Sequence, residues 1–548
     1  MARISRRGLL AGAGGGALAL TAASTTALAG PSAAADAPAQ DAALAAQPDA
    51  ASITPGDPRY ADITTRGYNK RFVAVPERVR IPGCTAHVVR AVQEAVDAGK
   101  RIAIRSGGHC LEGIVDDPAV KVIIDFTEMR AVTFDPLMSA FAVEPGATLG
   151  TVYRTLDYRW GVTLPGGVCP LVGAGGHIVG NGFGALSRQH GLIADHLYAI
   201  EIVVVDASGT AKSVVATRNS WDPNRELWWA HTGGGGGHFG VVTKFWMRSP
   251  NATGSDPARL LPPIPKALMT GRAVWNWSDL GEAAFVQAAK NFGEWMEANS
   301  APGSATNAVH GAFSAPRKER GQVMVVGQLD PSVPGNEAVL NDYLAAMGRN
   351  GVPRPQIVKS GVLPWLTTTI NAPDSSVAQG VLGPPRWKSK VGLLKKKYSD
   401  DVVSTAYGYL TRSDYTHPAA GFSLTTYGGQ TNALAPDATA TPHRSAIMAA
   451  GVFNAWDVPA DDARHVEWNA SFYRDLYAAT GGAPVPNDVN DGCLVNWPDL
   501  DMADPALNSS GVPWSTLAYK ENYPRLQRIK AKYDPLNVFR HALSITAP

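Results

Sequence analysis

Three glycine-rich segments in the first half of the chain limit its fold more than any other feature. They span residues 106–109, 173–184 and 233–237, and the last consists of five consecutive glycines. Glycine lets a backbone adopt left-handed angles and approach a ligand closely, and neighbouring backbone N–H groups form a concave site for an anion. The segments therefore predict a large, phosphate-bearing ligand that is held by backbone amides.

Such glycines also occur in the nicotinamide-dinucleotide fold, where Gly-x-Gly-x-x-Gly directly follows the first strand. The strand predicted before the first glycine-rich segment runs over Ile102–Arg105, and the next four residues read Ser-Gly-Gly-His. Because the required glycine triplet is missing, we expect a different dinucleotide-binding fold.

Helix and strand patterns alternate around these glycines. Apolar residues recur at helical spacing from Thr85 to Ala98. The Ile- and Val-rich run Leu197–Asp206 alternates poorly, as expected for a strand that is buried on both faces. Three further strands and a second helix are predicted at 102–105, 120–125, 141–144 and 148–158. Residues 70–255 are therefore predicted to form one α+β domain.

A proline cluster at 262–265 marks the start of a second region. Beyond it, amphipathic helices are predicted at 285–299 and 337–347, and strands at 322–329 and 422–427. We assign residues 256–488 to a domain of sheet plus helices, and residues 489–548 to a C-terminal segment. The predicted fold class is α+β throughout.

The N-terminus has the pattern of an export signal. The paired Arg6 and Arg7 precede a stretch without charge that runs to Ala35 and is rich in Ala, Gly and Leu. This pattern predicts a twin-arginine signal peptide over residues 1–35. An uncleaved membrane anchor is the alternative, but so many Gly and Ala residues make a poor bilayer span. We therefore expect no stable membrane association.

Residues 36–69 are predicted to be a disordered leader, because their first part is rich in Ala, Pro and Asp and has almost no large apolar side chains. The twin-arginine route carries folded proteins, which allows a cofactor to be inserted before export. We therefore expect a secreted, cofactor-containing protein.

The charge balance gives no reason to expect a polyanionic partner. The chain has 49 Lys and Arg against 47 Asp and Glu, a formal net charge of +2, so neither nucleic acid nor an anionic membrane is predicted to bind it. The lysine-rich stretch 388–397 is predicted to be a solvated face. A disulfide between Cys84 and Cys110 stays open, because sequence alone does not establish pairing.

Each of the first two glycine-rich regions carries one nucleophilic side chain. His109 ends the first segment, and Cys169 lies between Gly167 and Gly173. We expect the backbone amides around Cys169 to lower its pKa toward the thiolate. Either residue alone has a structural explanation, His109 in a turn and Cys169 as a buried thiol. Their occurrence in successive glycine loops favours a shared chemical role.

Residues 105–110 resemble the histidine loop of flavoproteins of the vanillyl-alcohol-oxidase type. Residues 166–177 resemble the cysteine loop of the berberine bridge enzyme-like branch of that superfamily. The resemblance implies a two-part FAD-binding domain with an inserted substrate-binding domain, and a tail that folds back onto the FAD-binding domain. It also implies that FAD is bonded twice, through its 8α-methyl carbon to His109 and through its C6 atom to Cys169.

The resemblance further implies which residues surround the cofactor. Val172, three residues after the linked cysteine, holds the position that flanks the approach of oxygen. A valine there accompanies oxidase behaviour, so O2 is the expected acceptor and H2O2 the by-product. His177 and His190 are expected to be structural, and no metal ligand is predicted. The predicted cofactor-binding residues are Arg105, Ser106, Gly107, Gly108, His109, Cys169, Val172, Gly173, Gly175, Gly176, Gly182, Gly191, Asp195, Val241, Val242 and Asn496.

Oxidation of an alcohol needs a base for the hydroxyl proton, and at this point the chain departs from the family. Several relatives carry Tyr-x-Asn-Tyr-x-Asp near the C-terminus. Here Asn496 and Asp499 are present, but Leu494 replaces the first tyrosine, and Phe183 replaces a tyrosine often found in the glycine-rich segment. The usual base is therefore missing.

We predict Tyr427 as the substitute base, with Asn496 as a second catalytic residue. In an alternating strand, Tyr427 shares one face with Ser423 and Thr425. A structural role for Tyr427 is the alternative. Tyr415 and His443 are weaker candidates.

The leading functional hypothesis is an exported FAD-dependent oxidase that acts on a hydroxyl group of a secondary metabolite or sugar, by hydride transfer to flavin N5. One alternative is an oxidative cyclase that forms a ring or a carbon–carbon bond. The other is a secreted protein that binds FAD without catalysis. A small molecule and O2 are the expected partners, and the sequence does not identify the small molecule.

Overall fold

The computed structural model of the chain describes residues 49–371 and 386–548. The predicted signal peptide and the first part of the predicted leader lie outside these residues, so both stay predictions. None of the helices in the two ranges has the length and apolar character needed to cross a membrane.

The described part of the predicted leader is folded, so that prediction is wrong for residues 49–69. Strand β1 (Ala51–Ile53) pairs antiparallel with β2 (Arg78–Ile81), and helix α1 spans Tyr60–Thr64. Ile53 is buried in one cluster with Val79. A short segment can be held by strand pairing and one buried side chain, which an average over its composition does not reveal.

The first sheet has four strands in the order β1–β2–β4–β3, where β3 is Ile102–Arg105 and β4 is Val122–Asp125. Strands β2, β4 and β3 run parallel. Helix α2 (Thr85–Asp97) packs against them through the apolar face that its spacing predicted. The histidine loop therefore begins at the carboxyl edge of a parallel sheet, where open α/β sheets bind their ligands.

The second sheet is antiparallel, in the order β5–β6–β9–β7–β8. Strand β7, which lies between β9 and β8, is buried on both faces, as predicted. Ile200 and Ile202 face the main core, whereas Val203 and Val205 join the cluster around α2. The strands are β5 (Val132–Asp135), β6 (Ala140–Val143), β7 (Leu197–Val205), β8 (Ala211–Thr217) and β9 (Val241–Met247).

The third sheet has eight antiparallel strands in the order β13–β10–β12–β11–β15–β16–β14–β17. The strands are β10 (Met269–Asn276), β11 (His310–Pro316), β12 (Gln322–Leu329), β13 (Gln356–Lys359), β14 (Arg386–Leu394), β15 (Ala420–Thr426), β16 (Met448–Trp456) and β17 (Asn490–Gly492). Four long helices pack against this sheet or against one another. They are α7 (Glu282–Ala298), α8 (Asn336–Met347), α10 (Asp400–Thr411) and α11 (Asp462–Leu476).

Alternation along these strands separates a covered face from an open face. On β12, Val323 and Val325 are buried in the core with Leu340 of α8, whereas Met324, Val326 and Gln328 point to the other side. The strand predicted at 322–329 is confirmed with these bounds. The open face becomes one wall of the cavity described below.

The C-terminal tail folds back onto the first half of the chain. The Arg525 guanidinium lies 3.8 Å from the centre of the Trp229 ring, and its Nε donates to Glu226 at 2.7 Å. Lys530 Nζ donates to the His238 carbonyl oxygen at 2.7 Å. The predicted tail begins with β17, which belongs to the eight-stranded sheet. The domain boundaries at 255 and 488 stay predictions.

The other helices connect these sheets. They are α3 (Leu149–Trp160), α4 (Ala174–Val179), α5 (Ser187–His190), α6 (Arg225–Ala230), α9 (Trp365–Asn371), α12 (Trp514–Tyr519) and α13 (Tyr523–Tyr533). No disulfide joins the four cysteines, all of which lie in the described residues.

Candidate active site

A cavity of about 1750 Å³ lies between the glycine-rich segments and the open face of the eight-stranded sheet. Pockets for drug-sized ligands measure about 300–1,000 Å³, so this cavity has room for a dinucleotide together with a substrate. On the sheet side, its polar lining includes Thr270, Arg272, His310, Gln328, Ser423 and Thr425.

The histidine and cysteine loops meet through bare backbone on the opposite wall. A Cβ atom on Gly107 would lie 2.3 Å from the Gly173 nitrogen, and a Cβ atom on Gly173 would lie 2.2 Å from the Gly107 nitrogen. Both distances are shorter than any real contact of a Cβ atom, so both positions require glycine. This contact places His109 and Cys169 among the residues that line one cavity.

His109 is half-buried in a stack of aromatic rings. Its imidazole lies 4.3 Å from the ring of Tyr68, measured between centroids, with an interplanar angle of 16°. Burial, and then the positive charge of Arg66, lower the pKa of His109 to about 4. At neutral pH the imidazole is therefore uncharged, and one ring nitrogen keeps a free lone pair.

Cys169 is buried, with 4% of its surface exposed. Burial raises its pKa, although hydrogen bonds from the backbone amides of Leu171 and Val172 act in the opposite direction. The predicted shift toward the thiolate is therefore wrong. The amides are present as expected, but removal of the sulfur from water outweighs them.

His177 supports the cysteine loop from behind. Its Nε2 atom accepts a hydrogen bond from the Gly167 backbone nitrogen at 2.8 Å, and burial lowers its pKa to about 4. The neutral ring thus holds the turn that precedes Cys169. His190 does not line the cavity, and its carbonyl oxygen contacts His196 Nε2 at 2.9 Å.

The glycine-rich wall of the cavity fits a dinucleotide such as FAD. The backbone at Gly175, Gly176 and Gly235–Gly237 lines the cavity, and a Cβ atom on Gly176 would meet nothing within 4 Å. Arg105 donates from Nε to Asp125 at 2.6 Å, while its buried Nη1 has no hydrogen-bond partner among the described residues. An unsatisfied donor beside exposed backbone amides suits an oxygen-rich ligand.

Most of the predicted cofactor residues line this cavity. They are Arg105, Ser106, Gly107, Gly108, His109, Cys169, Val172, Gly173, Gly175, Gly176, Val242 and Asn496. Their role in binding FAD stays a prediction.

Four predicted cofactor residues do not line the cavity. Gly182 packs against His177, since a Cβ atom there would lie 2.0 Å from the ring. Val241 is buried in the cluster around α2, because it alternates with Val242 along β9. Both residues pack behind the cavity wall, and their role in binding FAD stays a prediction.

Gly191 and Asp195 form a buried polar joint instead. Gly191 has φ +87°, a left-handed angle that favours glycine. Asp195 Oδ2 accepts from the Leu192 nitrogen at 2.8 Å, and Asp195 Oδ1 accepts from Arg444 Nη2 at 2.6 Å. The carboxylate is thus neutralised by an arginine 249 residues away and is not directed at the cofactor cavity.

Tyr427, the predicted base, does not line the cavity. Only 1% of the residue is exposed, its ring lies edge-on to Phe183 at 5.0 Å, and its hydroxyl has no hydrogen-bond partner among the described residues. Burial raises its pKa, which opposes a role as base. Ser423 and Thr425 do line the cavity, but β15 ends at Thr426, so the alternation does not extend to Tyr427.

The weaker candidates are also held elsewhere. The Tyr415 hydroxyl contacts His465 Nδ1 at 2.6 Å, and His443 Nε2 contacts the Leu517 carbonyl oxygen at 3.3 Å. Neither residue lines the cavity. Asn496 does line it, and its Oδ1 atom lies 2.5 Å from where a Cβ atom on Gly180 would stand.

The lysine-rich stretch is not a solvated face at its start, which corrects the prediction. Lys388 and Lys390 are buried on the face of β14 opposite Trp387 and Ser389, which line the cavity. Three carboxylates surround them, from Glu112, Asp499 and Asp501, at N–O distances of 2.6 to 3.2 Å.

This ion cluster joins three segments that border the cavity. Burial alone would lower the pKa of Lys388, but the carboxylates of Asp499, Glu112 and Asp501 raise it. The lysines and carboxylates of this cluster are therefore charged, and their ion pairs connect the end of the histidine loop, strand β14 and the segment after Asn496.

Tyr68 and Trp387 are cavity residues that the sequence did not indicate. Tyr68 falls in the predicted leader and Trp387 beside the predicted solvated lysines, so composition concealed both. No pattern of spacing marks either residue, since Tyr68 stacks on His109 and on Trp387, which lie far from it in the sequence. Among the described residues there is no cluster of three or more His, Cys, Asp or Glu that would hold a metal.

Comparison with known proteins places the chain in a family. A model of the FAD binding domain matches residues 76–214, and a model described as berberine and berberine like matches residues 493–546. Aclacinomycin-N/aclacinomycin-A oxidase of Streptomyces galilaeus is 48% identical over 493 residues, 90% of this chain and 89% of that protein. Hexose oxidase of Chondrus crispus is 29% identical, over 89% of this chain and 93% of that protein.

Solved structures agree. The crystal structure of aclacinomycin oxidoreductase has a TM-score of 0.88 and 46% identity, covering 91% of this chain and 100% of its own. The glycopeptide hexose oxidase complexed with teicoplanin has a TM-score of 0.86 and 44% identity, covering 91% and 99%. The predicted fold class, a vanillyl-alcohol-oxidase-type FAD-binding fold with helices and sheets, is confirmed. The chain therefore belongs to the berberine bridge enzyme-like family of FAD-linked oxidoreductases.

Proposed function

We propose that this chain is an exported oxidase whose FAD is bonded to both His109 and Cys169. It oxidises a hydroxyl group of a secondary metabolite or sugar by hydride transfer to flavin N5, and O2 is reduced to H2O2. The observation that supports this best is the backbone contact between Gly107 and Gly173, which brings the His109 and Cys169 loops onto one wall of the cavity.

The state of each anchor suits this role. His109 is neutral at neutral pH and has a nitrogen lone pair for bonding to carbon. The Cys169 side chain is buried at the wall of the cavity. Burial raises the pKa of its thiol, and the hydrogen bonds from the Leu171 and Val172 amides act against that rise. Bound FAD supplies the two-electron acceptor, while the protein supplies position and environment.

The substrate side supports a molecule that carries hydroxyl groups. Thr270, Gln328 and His310 are directly opposite one another on three neighbouring strands, and all three line the cavity. Burial lowers the pKa of His310 to about 4, so it offers neutral hydrogen-bonding groups. The named activities of the relatives, on aclacinomycins and on hexoses, fit such a site.

Asn496 lines the cavity next to Gly180. Its amide can donate to a substrate oxygen or accept from a hydroxyl group, but it has no basic atom for the proton. We therefore assign Asn496 to orientation of the reacting hydroxyl group. Val172 is half-buried and lines the cavity, and we assign it to the side from which O2 approaches.

Peptide mapping of the purified protein by mass spectrometry tests the covalent part of the proposal. We expect one FAD mass on a species that contains both the His109 and the Cys169 peptides. His109→Ala and Cys169→Ala should each leave one bond, and only the double variant should release its flavin on acid precipitation. Release of the flavin from the wild-type protein would contradict the proposal.

The redox part is tested by adding candidate sugars and glycosylated polyketides without oxygen. Bleaching of the flavin, followed by H2O2 on admission of air and a ketone or aldehyde as product, supports the oxidase. An unsaturated cyclic product would instead identify the oxidative cyclase. Export is tested by replacing Arg6 and Arg7 with lysine, which should keep the protein inside the cell.

A further inference from the structure

The segment that comes before β2 is fastened to the histidine loop by its backbone. The Tyr68 nitrogen donates to the Gly108 carbonyl oxygen at 2.8 Å, and Arg66 Nη2 donates to the Ser106 carbonyl oxygen at 2.5 Å. Gly108 has φ +75°, so this turn adopts an angle that favours glycine. The main chain around Tyr68 thus holds the loop in the shape that presents His109.

The side chain of Tyr68 forms the middle layer of a three-ring stack. One face lies on the His109 imidazole at 4.3 Å and 16°, and Trp387 is stacked beyond it at 5.9 Å and 29°. Asn69 fixes the main chain that carries the outer ring, because its side chain exchanges hydrogen bonds of 3.0 Å with both the nitrogen and the carbonyl oxygen of Trp387. Through Tyr68, the plane of the His109 ring is therefore fixed against Trp387, which lies on strand β14 of the third sheet.

Tyr68 also interacts with the other anchor. Burial raises the pKa of Tyr68, and the Cys169 sulfur in its charged form raises it further. The Tyr68 hydroxyl is buried and has no hydrogen-bond partner among the described residues. No hydrogen bond among the described residues therefore accounts for the hydroxyl group of Tyr68, whereas its ring stacks on the His109 imidazole.

We infer that Tyr68 is a positioning residue for covalent attachment, whose ring fixes the His109 imidazole in the plane and direction required for bonding to the 8α-methyl carbon of FAD. This inference rests on the proposed attachment of the cofactor to His109. Stacking of two rings leaves the imidazole free to form a bond in its own plane while preventing rotation about its side-chain torsions. Nothing in the sequence of residue 68 alone indicates this role.

The chemistry that Tyr68 assists is an oxidation. One nitrogen–carbon bond forms between His109 and the methyl carbon, while one C–H bond of the methyl group and the imidazole N–H bond break. The two electrons and two protons released reduce one O2 to H2O2. The neutral state of His109, with a pKa lowered to about 4 by burial and by Arg66, provides the lone pair for this bond.

The test compares Tyr68→Phe, which keeps the ring, with Tyr68→Leu, which removes it. Each holoprotein is digested, and the share of FAD on the His109 peptide and on the Cys169 peptide is measured separately. We expect Tyr68→Phe to match the wild-type protein. We expect Tyr68→Leu to lose His109 attachment by about tenfold or more, because misplacement of reacting groups by 1 Å costs up to about 10²-fold in rate, while Cys169 attachment persists.

Tyr60→Leu is the matched control. Tyr60 lies in the same N-terminal segment, is partly buried, donates to the Pro76 carbonyl oxygen at 2.7 Å, and does not line the cavity. General loosening of the segment would reduce attachment in this variant too, so we expect attachment to be unchanged. If Tyr68→Leu does not fold, Tyr68→Met is used in its place, because methionine keeps apolar volume without a ring.

Two results would overturn the inference: full His109 attachment in Tyr68→Leu or Tyr68→Met, or equal losses in Tyr68→Phe and Tyr68→Leu. Neither result can be confused with failure of the proposed function. If the proposed function were wrong, the wild-type protein itself would carry no FAD on its His109 peptide.

Discussion

Replacing Gly173 by alanine tests whether the two anchor loops must touch through bare backbone. Gly173 has φ −75° and ψ 137°, angles that alanine adopts freely, so only the added methyl group matters. Its Cβ atom would lie 2.2 Å from the Gly107 nitrogen and 2.1 Å from Ser106 Oγ. Rotation of Ser106 away from the methyl group would break its hydrogen bond to the Pro145 carbonyl oxygen.

The size of the effect follows from the geometry. Ordinary contacts of a Cβ atom begin at 3.4 Å, so the two loops must separate by roughly 1.2 Å. Overpacking of this kind costs about 1–3 kcal/mol of stability. A shift of about 1 Å between reacting groups lowers a rate by up to about 10²-fold. We therefore expect a folded but less stable protein in which attachment at Cys169 is slowed by about that factor.

Urea unfolding and peptide mapping measure the two effects together. Gly408→Ala is the matched control, because Gly408 lies in the interior of α10 with nothing within 4 Å of an added Cβ atom. Alanine should raise stability there by about 0.5–1 kcal/mol. Wild-type stability and full Cys169 attachment in Gly173→Ala would refute the claim that the loops need backbone contact.

Three further predictions concern groups away from this contact. Lys388→Met leaves Glu112 without its ion-pair partner and leaves Lys390 alone with Asp499 and Asp501, so it should lower the free energy of unfolding by about 3–5 kcal/mol; a loss below about 1 kcal/mol in a urea titration would contradict this. Tyr427→Phe should keep turnover within about twofold, since its hydroxyl has no partner, and a tenfold loss of kcat would restore Tyr427 as a base. His177 has its pKa lowered to about 4 from 6.5, so the unfolded state binds more protons between these values. Stability should therefore fall as the pH drops from 6.5 to 4, by up to about 3 kcal/mol for this group, and His177→Gln should flatten that dependence in unfolding titrations at pH 7 and pH 5.

Local patterns predicted much of the framework correctly. The strand at 102–105 and the strand at 322–329 have the bounds that apolar spacing indicated, and helix α2 ends one residue before its predicted end. The buried run of β7 was visible because a strand that is covered on both faces loses its alternation. Glycine loops were visible because close backbone contacts exclude every other residue type at Gly107 and Gly173.

Residue roles that depend on distant partners were not visible. Tyr427 continues an alternating strand in the sequence, yet the strand ends one residue earlier and its ring is buried beside Phe183. Cys169 has the amides that lower a pKa, but burial by the rest of the fold outweighs them.

The sequence by itself determined the helices and strands with a clear apolar period, the glycine loops, and the two nucleophiles that those loops present, because each follows from spacing along one stretch of chain. Only the tertiary structure decided that Tyr68 stacks on His109 and that Lys388 is buried beside Glu112, 276 residues away. Burial, charge compensation and ring contact depend on which elements lie next to each other in space, and the hydrophobic period of a single segment does not indicate its neighbours.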